Sequence, residues 1–150
     1  MEMLPAFPNQ FPYYELLFRH LVSAKTRTWV WKHTGWTLFY TSKSRVVRPV
    51  IEAYGNLNLK AYEDTLGCLV GIGYLLPVRP NTRKEIKQLE REFNNNGPVK
   101  IYAGPYRYEF KLFHEFEQPI AFSAPRGAVT TFKVPVGVVK KELTRLGISL

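Results

Sequence analysis

The run Thr26-Arg27-Thr28-Trp29-Val30-Trp31-Lys32-His33-Thr34-Gly35-Trp36-Thr37-Leu38-Phe39-Tyr40-Thr41 carries the strongest fold signal in the chain. Its first half alternates with period two. Thr28, Val30 and Lys32 share one face and Arg27, Trp29 and Trp31 the other, the pattern of a half-buried strand. The His33-Thr34-Gly35 break returns the chain into a second β-rich segment, Trp36 to Thr41, which stops at Ser42-Lys43-Ser44-Arg45. A hairpin or sheet corner is expected there. Upstream, Tyr13 to Ala24 has Leu16, Leu17, His20 and Leu21 at helical spacing, so helix gives way to strand near Lys25. Residues 1–12, broken by Pro5, Pro8 and Pro12, read as an irregular N-terminal segment.

Downstream, Val46 to Tyr54 and Gly67 to Val78 read as strands separated by the turn-prone Gly55-Asn56-Leu57-Asn58. Thr82 to Phe93 is an amphipathic helix with Ile86, Leu89 and Phe93 inward. Thr82 and Glu85 form a capping-box pattern, and Asn94-Asn95-Asn96-Gly97-Pro98 is a stop. Tyr106 to Phe116 and Ala128 to Val134 follow as strands around Pro119 and the Pro125-Arg126-Gly127 turn, and Val138 to Leu146 before Gly147 is a last helix. The length, 150 residues, fits one domain spanning 1–150. This order of elements suits an α+β fold, a small, curved, mostly antiparallel β-barrel with flanking helices.

Composition narrows the function classes. Lys and Arg number 21 against 12 Asp and Glu, a formal net charge of +9, which favours polyanionic partners. One cysteine, Cys68, excludes an internal disulfide framework and points to a reducing, cytoplasmic compartment. No apolar run is long enough to span a bilayer, so no membrane partner is expected. A single aspartate, Asp64, makes an acidic metal-nuclease centre hard to assemble, and no glycine-rich phosphate loop, His-Glu-x-x-His or Gly-x-Ser-x-Gly is present. No metal or cofactor is read from the chain. His20 reads as a packed core residue, His33 as a turn residue, His114 as a strand-surface residue and Cys68 as a small buried side chain.

Several segments resemble the PUA-like superfamily, in particular its ASCH and EVE domains. Tyr14-Glu15-Leu16-Leu17-Phe18-Arg19-His20-Leu21-Val22-Ser23-Ala24-Lys25-Thr26-Arg27-Thr28 resembles the ASCH helix that runs into a Gly-x-Lys-Thr turn. Gly35-Trp36-Thr37-Leu38-Phe39-Tyr40-Thr41-Ser42 resembles the strand that follows, and Gly71-Ile72-Gly73-Tyr74-Leu75 the next. Tyr108-Glu109-Phe110 through Glu117-Gln118-Pro119-Ile120 is similar to the late strand pair. The resemblance implies a PUA-like barrel whose cleft takes an extruded or single-stranded base, often a modified one, with basic residues holding phosphates outside.

The residues themselves allow such a site. A base needs a flat apolar surface and a few polar groups at its edge. Trp29, Trp31, Trp36 and Tyr40 are the stacking candidates, with core filling as the competing use of each ring. Basic residues fall in the groups Lys25-Arg27-Lys32, Lys43-Arg45-Arg48 and Arg79-Arg83-Lys84-Lys87, of which Lys32, Lys43, Arg45, Arg48, Arg79 and Arg83 are the phosphate candidates. A solvated surface is the alternative for each. The expected partner is RNA or another single-stranded or modified nucleic acid.

The ASCH resemblance also implies an alternative, an amidohydrolase acting on an N-acylated cytidine. Its centre would use Lys25 and Thr28 from Lys25-Thr26-Arg27-Thr28 together with Glu85. A threonine hydroxyl needs a neighbouring base, which a lysine of lowered pKa supplies and a carboxylate orients. Glu85 has a competing use in its helix cap, and Lys25 in holding phosphate. A third class, a protein-interaction domain, would instead present an exposed aromatic patch.

Overall fold

The structure is a computed structural model, and it describes residues 2–46, 48–53, 64–94, 103–125 and 130–150. In chain order the elements are β1 (Met3–Phe11), α1 (Tyr13–Phe18), β2 (Lys25–Arg27), β3 (Gly35–Val46), α2 (Arg48–Ala53) and β4 (Cys68–Leu75). There follow β5 (Arg79–Pro80), α3 (Arg83–Asn94), β6 (Tyr106–Tyr108), β7 (Phe110–Ala121), β8 (Phe132–Pro135) and α4 (Val136–Leu146). A five-stranded sheet has the order β7-β4-β3-β1-β8, and a three-stranded sheet the order β2-β6-β5. The pairing of β1 with β3 is parallel, with Ala6 opposite Leu38, while the other paired strands run antiparallel. The fold is therefore α+β with a mixed main sheet. Among the described residues the two sheets stay separate and no closed barrel forms.

Both faces of the main sheet are covered, which explains the unbroken apolar run Leu38-Phe39-Tyr40 in its middle strand. Phe39 turns to one face, where Phe7, Tyr14, Leu16, Leu89 and Tyr108 are buried between this sheet, α1, α3 and the small sheet. Leu38 and Tyr40 turn to the other, where Leu4, Ile72, Phe116 and Val134 pack with Val139 and Leu143 of α4. Burying each such side chain is worth roughly 1.5–3 kcal/mol, so these two apolar layers dominate the fold's stability.

Several expectations are corrected. Residues 1–12 are not irregular: Met3–Phe11 is a strand inside the main sheet. Its prolines are tolerated because β1 pairs with β8 only over Met3 to Ala6 and with β3 from Ala6 onward. Pro5 thus lies outside the β3 ladder and Pro8 outside the β8 ladder, the local equivalent of an edge strand. Helix α1 stops at Phe18 rather than Ala24. His20 adopts a left-handed conformation with φ 58°, while its amide bonds Leu17 O and the Leu21 amide bonds Leu16 O. That pair of bonds closes the helix as a Schellman turn. The expected strand at Val46 to Tyr54 is replaced over Arg48–Ala53 by helix, with Pro49 in its first turn, where a missing amide hydrogen costs nothing. The supposed hairpin is a crossover between sheets: β2 belongs to the small sheet and β3 to the large one. The turns expected at Gly55 to Asn58, Asn95 to Pro98 and Arg126 to Gly127 lie outside the described residues, as do the side chains of Arg45 and Phe93.

Candidate functional site

The connection of residues 28–34, which carries the chain from β2 to β3, determines where the candidate aromatics go. Trp29 turns inward: its ring lies 6.0 Å from Phe7 and meets Tyr108 edge-on at 5.6 Å, and its carbonyl accepts the Tyr108 hydroxyl at 2.7 Å. Trp29 is a core residue. Trp31 is braced by Phe7, nearly parallel at 5.9 Å, and by His33 at 4.7 Å. Its indole forms one wall of a partly open cleft of about 140 Å³ lined by Pro5, Trp31, His33, Thr131, Phe132 and Lys133. Pro5 of β1, Phe132 and Lys133 of β8 and the neighbouring Thr131 line it together with Trp31 and His33 of the crossover. Trp36 and Tyr40 are elsewhere. Trp36 packs edge-on to Tyr74 at 5.3 Å, and Tyr40 is buried against Phe132 with its hydroxyl donating to Phe122 O at 3.0 Å. The structure therefore keeps one stacking candidate, Trp31, in a cleft and assigns Trp29 and Tyr40 to packing.

His33, Lys133 and Thr131 are the cleft's polar members, and none of the three was singled out as a site residue from the sequence. His33 Nε2 lies 3.2 Å from Trp36 O and 3.1 Å from Thr37 Oγ1, whose own hydroxyl donates to Gly35 O at 3.0 Å. A carbonyl oxygen only accepts, so Nε2 carries the ring hydrogen and Nδ1 is left as an acceptor. Burial pushes the imidazole pKa below its ordinary value, and the Lys133 charge adds to this against the opposing Trp36 carbonyl. The ring is therefore neutral at physiological pH. Lys133 and Lys32, next to Trp31 in the chain, are exposed.

A second polar group lies deeper. Lys25 on β2 is only 3% exposed, and its Nζ has no hydrogen-bond partner. The amine sits over the rings of Tyr14 at 4.8 Å and Tyr13 at 5.1 Å. Burial, and then the charge of Arg27, push its pKa well below the ordinary lysine value. Arg27 lies over the Phe7 ring at 4.7 Å and donates to Pro8 O and to Thr26 O.

The expected Lys25, Thr28 and Glu85 centre does not form. Lys25 pairs with Tyr108 across the β2–β6 ladder, and Thr26 with Arg107, so Lys25 and Arg107 project from opposite faces of the small sheet. Glu85 is bound on the Arg107 side. It takes a two-pronged contact from Arg79 at 2.8 and 2.7 Å, accepts the Thr82 amide at 3.0 Å and lies 3.4 Å from Arg107 Nε. The Glu85 amide in turn donates to Thr82 Oγ1 at 3.1 Å, completing the capping box. These partners, Arg79 first, hold the Glu85 carboxyl far below the usual carboxylate range. Thr28 is exposed on the crossover. With Nζ unpartnered, neither of the other two residues is within hydrogen-bond reach of Lys25.

The basic candidates divide in the same way. Arg79 is not a free phosphate ligand, because Glu85 and Glu109 neutralise it at 2.7 and 2.8 Å, with Arg107 also paired to Glu109 at 2.9 Å. Lys32, Lys43, Arg48 and Arg83 are exposed. Among the described residues no group of His, Cys, Asp and Glu is arranged to hold a metal ion, and no helix is long and apolar enough to cross a membrane. The chain matches no known protein-family model and no curated protein sequence.

Proposed function

We propose that the chain is a module binding single-stranded nucleic acid, RNA foremost, and that a base enters the cleft bounded by Trp31 and Phe132. The observation that carries this reading is the cleft itself: aromatic walls, a neutral imidazole and an exposed ammonium, in a chain of net charge +9. Apolar walls take the base faces and polar groups its edge. Lys133 and Lys32 supply the phosphate attraction. The resemblance to PUA-like domains points the same way.

Equilibrium binding of a short labelled RNA strand, titrated over salt concentration, tests the reading. Affinity is expected to fall with salt, with a slope of about 0.7 per phosphate contact. Trp31→Ala is expected to cost about 1–3 kcal/mol of binding, the worth of one stacked base, without changing that slope. No measurable binding at low salt overturns the proposal, and undiminished binding by the Trp31 variant moves the site elsewhere.

A further inference from the structure

The tautomer of His33 sets what the cleft accepts. Nε2 is committed as a donor to the Trp36 carbonyl and the Thr37 hydroxyl, and that hydroxyl is itself oriented by its bond to Gly35 O. Trp31 packs against the imidazole at 4.7 Å, so the ring is held by hydrogen bonds at one nitrogen and by an aromatic contact on its surface. Turning the ring over to present Nε2 instead would break both bonds and leave the Trp36 carbonyl without this donor. His33, Lys133 and Thr131 line the cleft; the imidazole's remaining ring nitrogen, Nδ1, is an acceptor of fixed tautomer, Lys133 is a donor only, and the Thr131 hydroxyl can do either.

Resting on the nucleic-acid reading above, we infer that His33 makes the cleft selective for base edges that offer an N–H hydrogen, and that it rejects bases whose edge nitrogens are fully alkylated. An unblocked base gives an N–H to Nδ1 and offers a carbonyl or ring nitrogen to Lys133. Uracil does so with its N3–H and cytosine with its exocyclic amine. N3-methyluracil keeps every carbonyl of uracil but has no N–H left. In the cleft it would leave Nδ1 desolvated and unpaired, and the methyl group would crowd the imidazole. Sites built around a specific hydrogen bond discriminate strongly against analogues that lack it, because the buried partner is stranded.

The test uses RNA strands of about eight nucleotides, a length within the site sizes of single-strand binders. Oligo-U, oligo-C and their N3-methyluridine and N4,N4-dimethylcytidine counterparts carry the same phosphates, so the charge contribution cancels in each pair. The wild-type protein is expected to bind each unblocked strand about tenfold more tightly than its alkylated partner, the worth of one base-edge contact. His33→Gln, which keeps an acceptor, should retain part of that ratio. His33→Phe, which fills the site without one, should bring it close to one while overall strand affinity persists. Equal affinity of the wild-type protein for methylated and unmethylated strands overturns the inference, and so does a ratio unchanged in the Phe variant. The wild-type comparison holds even if a variant fails to fold. Failure of every strand to bind at low salt overturns the nucleic-acid reading itself, so the two failures are distinguishable.

Discussion

At the scale of single residues, Lys25 is a buried amine with no hydrogen-bond partner, set over two tyrosine rings. Burial, and next the Arg27 charge, depress its pKa, so between the folded value and the unfolded value near 10.5 the unfolded chain binds more protons. Stability contributed by this group is then complete only above the unfolded value and is lost as pH falls through the folded one. Lys25→Met keeps the volume and removes the ionisation. The variant is expected to be more stable than wild type at neutral pH, with the gap narrowing toward about pH 9.5 and below the range where the raised tyrosines titrate. Urea midpoints at the two pH values measure this, and a pH-independent gap would show that Lys25 is not the source. Lys25 was singled out through the resemblance to ASCH domains, as one member of a Lys25, Thr28 and Glu85 centre. Its isolation was not legible, because a two-residue strand period does not say that Glu85 belongs to the other face. Trp31 was among the stacking candidates, but the strand alternation that put it there is absent, since β2 ends at Arg27 and Trp31 lies on the crossover. His33 was not legible, since a histidine two residues before a glycine has the composition of any turn until Trp36 O and Thr37 Oγ1 are seen to fix it.

Among the elements, two helices end by the same device and only one of them could be read. Helix α4 closes at Gly147, φ 71°, with the Ile148 amide bonding Leu143 O and the Gly147 amide bonding Thr144 O. Glycine announces that turn. Helix α1 closes identically at His20, where an L side chain in the left-handed region gives no sequence signal, so the periodic leucines beyond it read as more helix. Helix α3 was legible because its cap is written in side chains, Thr82 and Glu85. Strand β1 was missed because proline counts against a strand unless it is known which edge each residue leaves unpaired. Gly71 of β4 is required by the close approach of its neighbours. A Cβ at Gly71 would lie 2.5 Å from the His114 carbonyl oxygen of the neighbouring strand and 2.7 Å from Phe18 Cζ. The first contact is with backbone and cannot swing aside. Gly71→Ala is therefore expected to destabilise by about 3 kcal/mol, the upper end of overpacking costs, by forcing β4 and β7 apart. A denaturant midpoint measures it, and a change under about 1 kcal/mol would mean that the pairing gives way easily there.

The molecule as a whole combines a net charge of +9 with an uneven use of its cations. Arg79 and Arg107 are spent on Glu85 and Glu109, where they tie the start of α3 to the small sheet. Arg145 is spent on Glu142, at 2.6 Å, beside the main sheet. Lys133 is exposed and lines the cleft, and Lys32 is exposed on the crossover, between the cleft residues Trp31 and His33 in the chain. Charge counting along the chain ranked the Arg79 to Lys87 cluster as highly as any other, because paired and unpaired arginines look alike in sequence. Counterion release distinguishes them. A cation that meets phosphate releases a condensed ion on binding, whereas one already neutralised by two carboxylates has none of that contribution to give. Lys133→Met is expected to reduce the salt slope of single-strand RNA affinity by about 0.7, and Arg79→Met to leave it unchanged even though it removes the same formal charge. Slopes fitted to both variants over one salt range make the comparison. Equal losses would mean that the strand responds only to total charge and passes over the cleft without engaging its rim.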